Sequence, residues 1–177
     1  MTAGNREKRY IGRTDEPLCG EGEARLRSVL YPMPELVVAS PMKRCRQTAE
    51  ILFKNVETIQ VDDLRECDFG DFEGKNHAEL CENTDYRRWM ESGGREAFPG
   101  GEDPDGFKSR CVSAFKYAVE KHSGHEYIAF VVHGGTIMAI LEELAVPKRN
   151  FYDYHVDNGC GYMTEYADGG LRILNTE

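Results

Sequence analysis

YIAFVVHGGT, residues Tyr127–Thr136, decides how this chain folds. From Tyr127 to Val132 every residue is aromatic, β-branched or small, with no charge and no turn former, so the segment reads as a strand buried on both faces of a sheet. Directly after the glycines, Ile137, Ile140, Leu141 and Leu144 recur at i, i+3, i+4 and i+7, the apolar stripe of an amphipathic helix. A strand running straight into a helix belongs to an α/β sheet and leaves the helix's first N–H groups unpaired at the carboxyl edge of that sheet. The positive end of the helix dipole points there too, where open α/β folds bind ligands. Gly134 and Gly135 have no Cβ to keep an anion from that backbone. His133 is then either the side chain aimed at the ligand or a strand-end histidine bonded to a loop, and the junction alone leaves both readings open.

Outward from this junction the elements alternate. Leu26, Val29 and Leu30 suggest a helix face after PLCGEG, and LVVAS (residues 36–40) reads as a short buried strand. Ser40 can cap the helix that follows, with Pro41 at its first position and Cys45, Ala49 and Leu52 as its buried stripe. TIQV (residues 58–61) is a weak strand, and Phe107, Cys111, Ala114, Phe115 and Ala118 mark the clearest helix. YMTEY-ADGG-LRIL reads as a terminal hairpin. Strands alternating with helices predict an α/β fold with a mostly parallel sheet covered on both faces. Between Phe69 and Gly106 glycines bracket one predicted helix carrying Leu80 and Trp89, a lid or cap excursion within a single domain spanning residues 1–177. Tyr86, Trp89 and Phe98 in it either face a substrate or form the lid's own small core.

Composition narrows the partners. The 177 residues carry 31 acidic and 22 basic side chains, a formal charge of −9, which argues against nucleic acid and anionic membrane and leaves a small anionic ligand open. No apolar run is long enough for a membrane span and MTAGNREKRY has no signal core, so a cytoplasmic protein is expected. Its six cysteines, scattered without a CxxC pair, read as reduced thiols. His122 and His125 sit in a polar stretch, and neither a metal nor another cofactor is expected.

A second strand-to-helix junction, LVVAS-PMKRCRQTAEIL, puts Arg44 in the first turns of a helix, where a fixed guanidinium can grip a phosphate bidentately. Lys43, Arg44 and Arg46 could equally be a solvated helix face. In LRECDFGDFEG, Glu66 and Asp68 precede two glycines that let the segment fold tightly, and a carboxyl beside an anion site is a natural general acid if its pKa is raised. A glutamate in a polar loop is otherwise simply solvated.

Taken together, GNREKRYIGRTDEPLCGEG (4–22), SPMKRCRQTAEIL (40–52), LRECDFGDFEG (64–74), FPGGED (98–103), VVHGGT (131–136) and DNGCGYMTEY (157–166) resemble, in order, the motifs of the histidine phosphatase superfamily, also called phosphoglycerate mutase-like. The resemblance implies a phosphomonoesterase working through a phosphohistidine on a small phosphorylated metabolite. It makes Glu66 the proton donor and His133 the histidine that stabilises the transferring phosphoryl group. Arg44, Asn5 and Gly134 fall in the phosphate-binding set, and Glu102 shapes the substrate side of the pocket. YIGRTDEPL is similar to the α-ribazole phosphatase branch, which shades into sugar-phosphate phosphatases; a phosphoglycerate mutase and a non-catalytic phosphate binder are the alternatives. Inorganic phosphate is a further expected ligand, and a homodimer is compatible with everything above.

One departure stands out. The family's N-terminal strand ends Arg-His-Gly and supplies the nucleophilic histidine; here the resemblance begins just after it, and no histidine precedes His77. The expectation is therefore a fold with its first central strand missing and a chain of little or no activity. Either the start lies too late in a longer reading frame, which the intact downstream motifs favour, or the protein is a shortened relative. The strands before Ser40 and His133 are expected to flank the gap. The gap is expected to be closed: either those strands pair directly, or residues 1–9 or another chain supply backbone.

Overall fold

The apolar runs become strands and the 3.6-residue stripes become helices over residues 1–176, which the computed structural model describes. In chain order these are α1 (Ala3–Arg6), α2 (Gly20–Arg27), β1 (Leu36–Ala39), α3 (Lys43–Leu52), β2 (Thr58–Gln60), α4 (His77–Leu80), α5 (Thr84–Glu91), α6 (Pro104–Lys121), β3 (Ile128–Val131), α7 (Gly134–Leu144), β4 (Tyr162–Ala167) and β5 (Gly170–Thr176). β2, β1 and β3 form a parallel sheet in that order, with Val38 opposite Ile59 on one side and Phe130 on the other. Alternation along β1 sends Leu36 and Val38 into the larger core with α6 and α7, and Val37 and Ala39 into a smaller one with Cys45, Ala49 and Phe53. The predicted helices on both faces of a parallel sheet are thus present. β4 and β5 form the predicted hairpin, turned by Asp168 and Gly169, whose φ values of 52° and 75° are those a two-residue hairpin loop needs.

Several expectations change. α2 stops at Arg27, so only Leu26 of its proposed stripe is buried, and Leu30 is 91% exposed. The excursion holds two helices, because Asn76 and Asn83 each cap a new start with a side-chain oxygen. Its aromatics are not a separate core: Tyr86, Trp89 and Phe98 are buried against Phe72, with ring centroids 5.2–6.0 Å from it, in the same apolar cluster as Leu36 and Val38 of β1. Ser40 does not cap α3; Met42 takes the N-cap position with no side-chain bond.

The sheet is also split in a different place. β1 and β3, expected to flank the gap and close it, do pair directly, but the gap is not closed: among the described residues no strand pairs with the other edge of β3. Among the described residues nothing pairs β3 to β4, and a cavity of about 1640 Å³ runs between them. This is why Ile128, Ala129 and Phe130, predicted to be buried on both faces, are only half-buried.

Candidate active site

At the carboxyl ends of β1 and β3 the two strand-to-helix junctions meet. The first turn of α3 buries Arg44, and its guanidinium donates to the carbonyls of Thr14 (2.9 Å), Gly12 (2.9 Å) and Ile11 (3.3 Å). Its Nε donates to His133 Nδ1 at 3.2 Å. No ion pair to Arg44 is found among the described residues, although it is only 7% exposed. A buried cation held by carbonyl dipoles and a neutral ring nitrogen keeps its charge available to an anion. The Ile11–Thr14 loop is fixed in turn by Glu73 Oε1, which accepts from Gly12 N (2.8 Å) and Thr14 N (2.9 Å).

His133 sits between two fixed partners. Because an arginine can only donate, its Nδ1 is the acceptor, so the proton of the neutral ring is on Nε2 and goes to Ser40 Oγ at 2.7 Å. Cys45 Sγ packs against the ring, 3.6 Å from Nε2. Burial, reinforced by Arg44, Arg110 and Arg65, holds the imidazole well below its ordinary pKa. This ring is therefore a neutral donor and acceptor at physiological pH.

Glu66 lies at the start of α7. Its Oε2 accepts from Gly135 N at 3.1 Å and its Oε1 from Cys67 N at 3.0 Å. Desolvation raises its carboxyl above the ordinary value, while these two N–H donors, Arg44 and Arg110 pull the other way. Glycine at 135 lets the carboxyl lie this close, because a Cβ at this position would stand 2.3 Å from Glu66 Oε1 and displace it. The helix N-terminus that the sequence assigns to an incoming anion is thus partly occupied by a carboxylate of the chain itself. Gly134 is exposed to the cavity, with no other atom within 4 Å of where its Cβ would stand.

The remaining predicted residues separate. Asn5 lines the same cavity, but its Oδ1 accepts from Thr2 N at 3.0 Å and so caps α1. Glu102 lies on the far side of Glu66, in a smaller cavity of about 610 Å³ shared with Arg13, Arg65 and Asp68. There Arg110 holds both its oxygens, at 2.6 and 2.8 Å.

Sequence reasoning missed three residues. Arg110 ties down the Glu66 segment by donating to the carbonyls of Asp63 (2.7 Å), Arg65 (2.8 Å) and Glu66 (3.1 Å). Ser40 fixes the His133 tautomer, and Glu73 fixes the loop around Arg44. The one signal available for Arg110 was its place next to Cys111 on the buried stripe of α6.

A cation, a neutral imidazole and a carboxyl of raised pKa, brought together from three segments at the carboxyl edge of a parallel sheet, match one family. The chain belongs to the histidine phosphatase superfamily (branch 1), whose family model matches residues 1–177. Bacillus subtilis "Uncharacterized phosphatase PhoE" is 27% identical over 175 residues, covering 96% of this chain and 86% of that protein. "Phosphoserine phosphatase 1" of Hydrogenobacter thermophilus is 30% identical over 159 residues, covering 85% and 75%. The solved α-ribazole phosphatase of Shigella flexneri superposes with a TM-score of 0.84 over 99% of this chain and 91% of its own; at 21% identity it speaks for the fold. A phosphoglycerate mutase from Thermus thermophilus superposes with a TM-score of 0.73 at 28% identity, covering 99% and 92%. Histidine phosphatases are enzymes of the phosphatase class that act on small phosphorylated substrates, and the chain belongs among them. Among its described residues no helix is long and apolar enough to cross a membrane.

Proposed function

We propose that the site handles the phosphoryl group of a small phosphomonoester, with Arg44 and His133 Nε2–H binding its oxygens and Glu66 protonating the leaving alkoxide. The observation that carries this reading is the buried Arg44 guanidinium, without a carboxylate partner, placed against a neutral imidazole and near a carboxyl held above its usual pKa. Phosphate would replace backbone carbonyls as the guanidinium's partner, and the neutral ring would turn its Nε2–H from Ser40 to a phosphoryl oxygen. α-Ribazole phosphate, sugar phosphates and phosphoserine are the substrates that the resemblance and the relatives suggest. Gly134, open to the cavity, and Asn5 are assigned to the phosphate side, Glu102 to the substrate side.

Transfer through a phosphohistidine requires a nucleophilic imidazole in line with the leaving oxygen. No histidine among the described residues, apart from His133, bonds to Arg44 or Glu66. His133 itself is held on both nitrogens. We therefore expect these 177 residues by themselves to bind phosphate and to turn over slowly or not at all. Calorimetric titration with inorganic phosphate, beside a p-nitrophenyl phosphate assay, tests both halves. Binding should weaken about tenfold or more in Arg44→Lys, which keeps the charge and loses the fork. Failure to bind phosphate would remove the site assignment, and fast turnover abolished by His133→Ala would remove the expectation of low activity.

A further inference from the structure

Both oxygens of Glu102 are committed to one partner. Arg110 Nε and Nη2 donate to them at 2.6 and 2.8 Å, a forked pair whose side chains are only 24% and 22% exposed. The same guanidinium donates to the carbonyls of Asp63, Arg65 and Glu66, the last at 3.1 Å. Its charge therefore stands beside the proposed acid, where an uncompensated cation would favour the carboxylate over the acid. Anchoring the segment needs only the N–H groups of Arg110. It does not need a carboxylate on the other side of the guanidinium.

Glu102 is placed there by the turn that ends the lid excursion. Its N–H donates to Asp68 O at 2.9 Å, and Asp68 N donates back to Glu102 Oε2 at 3.3 Å. A Cβ on Gly101 would stand 2.4 Å from Asp68 O, so the turn docks this closely on the residues that follow Glu66 because position 101 has no side chain.

The other groups around Glu66 leave Arg110 as the charge to be dealt with. Arg44 of α3 is the second cation acting on Glu66, and a bound phosphate would neutralise it. Cys45 of α3, Cys67 and Cys111 of α6 are protonated thiols, because burial pushes all three up, Cys45 and Cys111 to about 12. His133 is neutral, and α7 meets Glu66 with the N–H of Gly135. Asp68 and Arg65 pair with Arg13 and Asp62 at the surface, at 3.4 and 3.0 Å.

We infer that Glu102 is a positioning residue for the proposed acid: its forked pair cancels the Arg110 charge beside Glu66, so that the anchoring N–H groups are kept while the carboxyl holds the proton destined for the leaving oxygen. Its role rests on the reading of Glu66 as that acid.

The test is the titration of Glu66 in the 177-residue chain, read from carbon-13 spectra of protein labelled at glutamate Cδ, with the resonance identified by its loss in Glu66→Gln. Glu102→Gln keeps the shape and one oxygen for Arg110 but not the charge, and the Glu66 midpoint should fall by about one pH unit or more. Glu102→Asp restores the charge on a shorter side chain, so its midpoint should lie closer to the parent's than to that of Glu102→Gln. If the segment merely loosens, Glu66 becomes hydrated and both variants fall together toward the ordinary carboxyl value, aspartate at least as far as glutamine. That result, or an unmoved midpoint in Glu102→Gln, would overturn the proposal. Calorimetric titration of the parent with inorganic phosphate is scored separately. Phosphate binding with an unmoved Glu66 midpoint in Glu102→Gln would keep the phosphate site and remove the role of Glu102. A moved midpoint without phosphate binding would keep the charge cancellation and remove the reading of Glu66 as the acid of a phosphate site.

Discussion

Gly135→Ala probes the contact on which the proposed acid depends. A Cβ on this residue would stand 2.3 Å from Glu66 Oε1 and 3.1 Å from its Cδ, so the carboxyl must withdraw and lose the bond from Gly135 N. A hydrogen bond to a charged acceptor contributes about 1.5–3 kcal/mol, and a carboxylate at a helix start about 0.3–1 kcal/mol, which overlaps with it. Alanine in place of glycine returns at most about 1 kcal/mol of helix propensity. The variant should therefore be about 1–2 kcal/mol less stable than the parent. In a Glu66→Ala background the obstacle is gone, and the same substitution should be stabilising by up to about 1 kcal/mol. Urea denaturation of the four proteins, followed by far-ultraviolet circular dichroism, closes the double-mutant cycle with an expected coupling of about 2 kcal/mol. If Gly135→Ala has the same effect in both backgrounds to within about 0.5 kcal/mol, Glu66 does not depend on this glycine and the reasoning fails.

Arg110→Ala removes both donors to Glu102 and three to backbone carbonyls in the Asp63–Glu66 segment; a loss of about 2–3 kcal/mol is expected by urea denaturation, and a change under 1 kcal/mol would remove its anchoring role. His133 should make stability fall on acidification, because below about pH 6.5 the unfolded chain takes up a proton that the folded imidazole, held lower by burial, refuses. Glu66 acts in the opposite sense: its raised pKa gives stability that is full below 4.5 and lost as pH rises through the folded value. His133→Gln isolates the first effect, so its urea midpoint should drop less than the parent's between about pH 6.5 and 5, and equal slopes would refute the assignment.

Much of the fold was legible because periodicity and punctuation agree locally. The apolar run before His133 and the stripe after it are unambiguous at short range, and so is the ADGG turn of the hairpin. Arg44 and His133 were legible as candidates because each sits at a strand-to-helix junction, whereas Glu66, in a glycine-containing loop, was singled out by resemblance. What could not be read depends on partners distant in sequence. Ser40 looks like a helix cap until β3 places His133 beside it, 93 residues away. Arg110 looks like one more charge on α6, yet its acceptors lie 44–47 residues upstream. Asn5 was assigned to phosphate by resemblance, while the local capping box with Thr2 competes for its oxygen.

The position of the split in the sheet ties these features together. Had the gap lain between β1 and β3, Arg44 and His133 would stand on separate sheets and their 3.2 Å contact could not form. Because β1 and β3 pair directly, the two phosphate-facing groups are assembled on paired strands, whereas the exposed edge of β3 leads straight into His133. A half-paired strand opens at lower free energy than a fully paired one. The amides of Ile128 and Phe130 should therefore exchange with solvent faster than those of Ala129 and Val131, which face β1. Equal protection of the two sets, read residue by residue by NMR, would refute this account of the edge that leads into His133.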